Sequence, residues 1–95
     1  MNKKYVIVRA YRAGVWAGNF KSRNGQEVIL TNARRIWYWD GAASLSQLAM
    51  SGTSKPENCK FPEEVSMVEI LDACEILDTT KKAEMSIKGV YIWKQ

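Results

Sequence analysis

Six consecutive residues, Arg34-Arg35-Ile36-Trp37-Tyr38-Trp39, set two guanidinium groups beside three large aromatic rings. A guanidinium fork matches the oxygens of a phosphate or carboxylate, and indole faces stack on flat rings. The combination suits a base or nucleotide held together with its phosphate. On a strand, side chains alternate, so Arg35, Trp37 and Trp39 would share one face and Arg34, Ile36 and Tyr38 the other. The competing reading is that some of these rings are simply core, because a chain of 95 residues uses its large aromatics to fold. A second cluster, Tyr11-Arg12-Ala13-Gly14-Val15-Trp16-Ala17-Gly18, puts Arg12 and Trp16 on a glycine-flanked turn that a ligand could reach. The candidate binding residues are therefore Arg12, Trp16, Arg34, Arg35, Trp37 and Trp39.

Other chemistries are poorly supplied. The chain has no histidine, which removes the commonest general base at neutral pH, the usual activator of a serine or cysteine nucleophile, and the most frequent zinc ligand. It has no Gly-rich phosphate loop and no dinucleotide fingerprint. Cys59 and Cys74 stand 15 residues apart without metal-ligand spacing, so both read as reduced thiols and neither as a zinc ligand. Cys74 lies in an apolar run and reads as a core residue, while Cys59 has Lys60 beside it. Asp72, Glu75 and Asp78 would share a face on a helix but not on a strand, and they read as a solvated acidic surface. A non-enzymatic protein with no cofactor and no metal is expected.

The charge distribution adds direction. The first 39 residues hold eight lysines and arginines against one glutamate, net +7, and all five arginines of the chain are among them. The remaining 56 hold six lysines against nine acids, net −3. Two readings follow: a basic face for an anionic partner, or two halves whose charges meet as surface ion pairs. No apolar run approaches the roughly 18 residues of a membrane helix, and no signal peptide is visible, so a cytoplasmic protein is expected.

The elements that must position these residues form one α+β domain over 1–95, mainly an antiparallel sheet of five to seven strands with two short helices. Lys4–Tyr11 and Val15–Ser22 read as strands, and Asn24-Gly25 as a tight turn into Gln26–Thr31. Ala33–Trp39 reads as a fourth strand. Ser44-Leu45-Ser46-Gln47 fits a capping box opening a helix that Gly52 stops. Glu63–Leu77 fits either a helix entered at Pro62 or two strands, Val65–Ile70 and Ala73–Leu77, bent at Asp72. Thr79 or Thr80 caps a helix through Lys88, and Val90–Lys94 reads as a closing strand.

The two aromatic-basic strings, together with Gly41-Ala42-Ala43-Ser44-Leu45-Ser46-Gln47-Leu48-Ala49, the stretch Val68–Leu77 and Val90-Tyr91-Ile92-Trp93, resemble a family of uncharacterised small proteins from tailed phages and prophages. The resemblance covers nearly the whole chain and favours two strands over 65–77. It implies an accessory protein acting in the cytoplasm of a bacterial host, but no reaction, ligand or site residue. The leading expectation is a binding protein that inhibits or sequesters a host factor, either an immune protein or a phosphate-bearing nucleotide signal. A nucleic-acid-binding module is the second reading. The third is a virion or assembly component whose edge strands pair with further copies as a homo-oligomer.

Overall fold

Tyr5-Val6-Ile7-Val8 is a run of residues that favour a pleated backbone, and all four side chains are buried. A strand can bury consecutive residues only when both of its faces are covered. The computed structural model, which describes residues 4–95, shows how. In β1 (Tyr5–Ala10), Val6, Val8 and Ala10 enter one apolar cluster and Tyr5 and Ile7 a second one on the opposite face of the sheet.

Strand β2 (Val15–Asn24) runs antiparallel to β1, with Tyr5 opposite Asn19 and Arg9 opposite Val15. It returns through a two-residue loop into β3 (Glu27–Arg35), with Asn24 facing Glu27. The expected turn is present but displaced by one residue. Asn24 belongs to the strand, and Gly25, at φ 63°, takes the first loop position, where a type II′ turn needs a left-handed residue. A Cβ on Gly25 would touch nothing within 4 Å, so a substitution there is strained only through its backbone. Gly25→Val should lower stability by about 1 kcal/mol or more, visible as a lower chemical-denaturation midpoint. An unchanged midpoint would remove the turn's conformational demand.

The two strands expected over Gln26–Thr31 and Ala33–Trp39 are one strand as far as Arg35. Between them Asn32 adopts φ 48°, and β3 gains one residue on β2 from the pair Ala17–Arg34 to the pair Asn19–Thr31. This bulge brings Ala33 against Gly18. A Cβ at Gly18 would lie 2.9 Å from Ala33 Cα, which is why glycine occupies the position. Beyond Arg35 the chain leaves the ladder: Ile36 N still donates to Val15 O, and Tyr38 forms a bridge with Lys60.

The stretch 65–77 is two strands, β4 (Val65–Ile70) and β5 (Ala73–Asp78). They do not pair with each other. The sheet order is β4-β3-β2-β1-β5, so strands separated by only Leu71 and Asp72 stand on opposite edges. The sheet must curl to bring those edges together at one corner, where Ala73 N donates to Gln26 O and Tyr11 N to Asp72 O. Trp16, Val28, Leu30, Ala33 and Ile70 join Val6 and Val8 in the cluster on one face.

The other face carries both helices. Ser44 Oγ accepts from Gln47 N at the start of α1 (Leu45–Ser51), and the Gln47 side chain accepts from Ala43 N, one residue before the cap. Gly52, at φ 76°, ends the helix. Thr80 caps α2 (Lys81–Gly89) through Ala83 N. Leu48, Ala49 and Ile87 bury against Tyr5 and Ile7, together with Phe61 and Cys59. Cysteine burial is the reverse of the sequence reading: Cys59 is fully buried, Cys74 is half-buried, and both thiols are free. The expected closing strand over 90–94 is instead a segment with a single backbone bridge, Phe61 to Ile92, and joins no ladder. Among the described residues, no helix is long and apolar enough to cross a membrane.

The acids of the second half do meet cations of the first across the β1–β5 pairing. Lys4 Nζ lies 3.0 Å from Asp78, and Arg9 Nε lies 2.7 Å from Glu75. Both pairs are exposed and screened by solvent, so neither holds much of the fold. Asp72 accepts from the backbone N–H of Arg12 at 2.6 Å. The three carboxylates thus share no single face.

Candidate functional site

The bulge at Asn32 and the departure of the chain after Arg35 decide where the aromatic-basic string points. Strand alternation stops at Arg35: Ile36, expected on the opposite face, lines the same groove as Arg35, Trp37 and Trp39, and Trp39 packs against the helix-side cluster. With Arg12, Gly14 and Val15 these residues line a groove of about 290 Å³. Four of the six candidate residues are therefore brought together: Arg12 from the β1–β2 turn, and Arg35, Trp37 and Trp39 from the end of β3 and beyond.

Trp16 lies directly beneath. Its ring is buried, its Nε1 donates to Ala13 O, and the Arg35 guanidinium sits 4.3 Å from its centroid. Arg35 Nη1 also donates to Ala13 O at 2.6 Å. A cation over an indole face and against a carbonyl is held in place, and the remaining N–H groups of the fork are left for another acceptor. Trp16 thus supports Arg35 and does not offer its ring to a ligand. Trp39 is half-buried and donates through Nε1 to Ala42 O, while Trp37 is 63% exposed. Among the described residues, neither Arg12 nor Arg35 pairs with a carboxylate, and no carboxylate lines the groove.

Arg34 is elsewhere. It projects to the opposite face of β3 and is 4% exposed. Its five N–H groups meet five backbone carbonyls: Nε donates to Pro62, Nη1 to Ile87 and Val90, and Nη2 to Phe61 and Tyr91. The ring of Phe61 lies 5.5 Å below the guanidinium. Burial pushes this guanidinium below its ordinary pKa, opposed by the Tyr5 hydroxyl and the Glu64 carboxylate. An arginine nevertheless keeps its charge in proteins. The side chain is an internal clamp on residues 61–62 and 87–91, and a ligand cannot reach it.

That clamp places a residue the sequence reading did not single out. Trp93 N donates to Phe61 O, and the Trp93 ring lies parallel to that of Trp37, with centroids 6.3 Å apart and planes 7° off parallel. Lys60 Nζ stands 5.6 Å from the Trp93 ring and 5.9 Å from that of Tyr38. No local signal links Trp93 to Trp37 across 56 residues of sequence; the Arg34 clamp and the Phe61 bridge bring them together.

A larger groove of about 650 Å³ opens on the other side of Arg12, lined by Tyr11, Ala13, Glu69, Leu71 and Asp72. Its two carboxylates, one already receiving the Arg12 amide, disfavour an anion there. The groove at Arg35 is smaller and combines guanidinium groups with two indole rings and no carboxylate. Among the described residues, no three of histidine, cysteine, aspartate and glutamate cluster in a way that could hold a metal ion.

A family model described as a domain of unknown function, DUF6948, matches residues 3–87. The chain belongs to this family. The match spans Arg12, Trp16, Arg34, Arg35, Trp37 and Trp39, and ends within α2, ahead of Trp93. No curated protein and no solved structure matches the chain.

Proposed function

We propose that this chain is a non-enzymatic binding protein whose groove at Arg12, Arg35, Trp37 and Trp39 takes a phosphate-bearing ligand with a flat ring, of the kind a nucleotide presents. The observation that carries the reading is the Arg35 fork, fixed on Trp16 and Ala13 with no carboxylate partner, beside the exposed face of Trp37. A prepositioned, unneutralised guanidinium loses little freedom on binding an anion, and bidentate geometry favours phosphate or carboxylate over halide. A groove of about 290 Å³ is at the lower end of the ~300–1,000 Å³ of small-molecule clefts, enough for one ring and its phosphate.

The resemblance to small proteins of tailed phages and prophages supports a setting for that binding. The protein would act in the cytoplasm of a bacterial host, sequestering a nucleotide signal or the nucleotide-bearing part of a host factor. Stripping the protein purified from cells with denaturant and measuring released absorbance at 260 nm against 280 nm, with phosphorus content, tests the reading. The expected outcome is a phosphorus-containing, ring-bearing compound released from the wild type and much depleted in Arg35→Ala. Release of no such compound from wild-type protein would contradict it.

A further inference from the structure

The groove does not end at its own rim. Trp37 both lines it and stacks parallel to Trp93, and beyond Trp93 stand Lys60 and then Tyr38, which is 50% exposed. Away from the larger groove that holds Glu69 and Asp72, the surface therefore runs cation, ring, ring, cation, ring: Arg35, Trp37, Trp93, Lys60, Tyr38. Lys60 forms no ion pair among the described residues. The groove volume admits one ring with its phosphate, so anything further must lie across this open aromatic surface.

We infer that the site binds a single strand of nucleic acid, with one nucleotide in the groove at Arg35 and the next on the Trp93–Tyr38 surface, its phosphate facing Lys60. The inference rests on the reading of the groove given above and extends it from one base to at least two. Charge complementarity selects this occupant. An apolar protein segment would use the rings but leave Arg12, Arg35 and Lys60 unpaired, whereas a polynucleotide repeats a ring and an anion at every step. Stacking on aromatic faces tolerates any base, so weak sequence preference is expected.

Lys60 and Trp93 separate the second station from the first. The carbonyl of Lys60 accepts from Trp37 N and Tyr38 N, but those are backbone bonds, and its side chain is exposed. Lys60→Gln therefore leaves the bridge between residues 38 and 60 in place. Fluorescence polarisation with labelled eight-nucleotide oligo-dT and oligo-rU, in competition with a nucleoside monophosphate, tests the inference. The wild type should bind the octamers at least about tenfold more tightly than the monophosphate. Trp93→Ala should weaken octamer binding at least about fivefold, in the range of one lost base stack. Lys60→Gln should flatten the dependence of log affinity on log salt by about 0.7, one phosphate of a single strand. Lys60→Gln should leave monophosphate affinity unchanged. Trp93→Ala, which also removes the ring stacked on Trp37, should weaken the octamer more than the monophosphate. The tighter of the two octamers names the strand, DNA or RNA, that the site serves. Octamers bound no better than the monophosphate, or unaffected by both variants, would overturn the second station and leave the groove standing. Failure of octamer and monophosphate alike would overturn the groove reading as well.

Discussion

Replacing Arg34 with methionine is expected to lower the stability of the fold by about 3 kcal/mol or more. The guanidinium satisfies five carbonyls in a site closed to water, and a thioether of similar length satisfies none. Each buried carbonyl left without a donor costs about 1–3 kcal/mol, reduced where relaxation admits water. Arg34→Lys should recover only part of the loss, because an ammonium has three donors and cannot span carbonyls on both sides of the fork. The effect should also travel. With residues 87–91 released, Trp93 loses its register on Phe61, and the tryptophan emission of the folded variant should shift toward that of exposed indole. Denaturation midpoints at constant slope measure the first effect. A loss below about 1 kcal/mol would mean that the C-terminal segment is held by packing alone.

The second large effect is on binding. Arg35→Ala should weaken the affinity for a nucleoside monophosphate by about 1.5–3 kcal/mol, the usual range for a hydrogen bond to a charged group. The fold should survive, since the side chain is half-buried and gives up one hydrogen bond to Ala13 and its seat on Trp16. Arg35→Lys should restore little, because a point charge on a flexible stem neither stacks on the indole nor grips two oxygens. Lys81→Ala, on the exposed first turn of α2, should leave affinity unchanged. These four proteins, compared by calorimetry at low salt, separate a site from general surface charge. Equal losses in Arg35→Ala and Lys81→Ala would indicate only nonspecific attraction.

Arg34 and Arg35 show what could and could not be read from sequence. Period-two alternation separates the adjacent arginines, but it fails beyond Arg35, where the strand ends and Ile36 lines the groove together with Trp37 and Trp39. Which side faces solvent depends on where the C-terminal segment lies, and that segment shows no local preference strong enough to announce a non-strand path. The same limit applies at Leu71-Asp72. Local propensity marks two strands with a bend, but their placement on opposite sheet edges is a property of the closed curl and of pairings with β3 and β1. Capping signals at Ser44 and Thr80 were legible because a cap is satisfied within one helical turn. The Asn24-Gly25 step identified a turn but not its register, since cross-strand pairing fixed the loop one residue later. Trp93 and Lys60 carried no signal beyond their residue types.

Binding in the groove between Arg12, Arg35, Trp37 and Trp39 has a direct spectroscopic signature. Indole N–H signals read it out, because the chain has four tryptophans in distinct settings. Trp37 and Trp39 line the groove, Trp16 is buried beneath Arg35, and Trp93 stands outside against Trp37. Titrating 15N-labelled protein with a nucleoside monophosphate should move the Trp37 and Trp39 signals first and saturably, with inorganic phosphate competing, and Arg35→Ala should abolish the response. Saturable movement confined to tryptophans outside the groove, or an undiminished response in Arg35→Ala, would contradict the account.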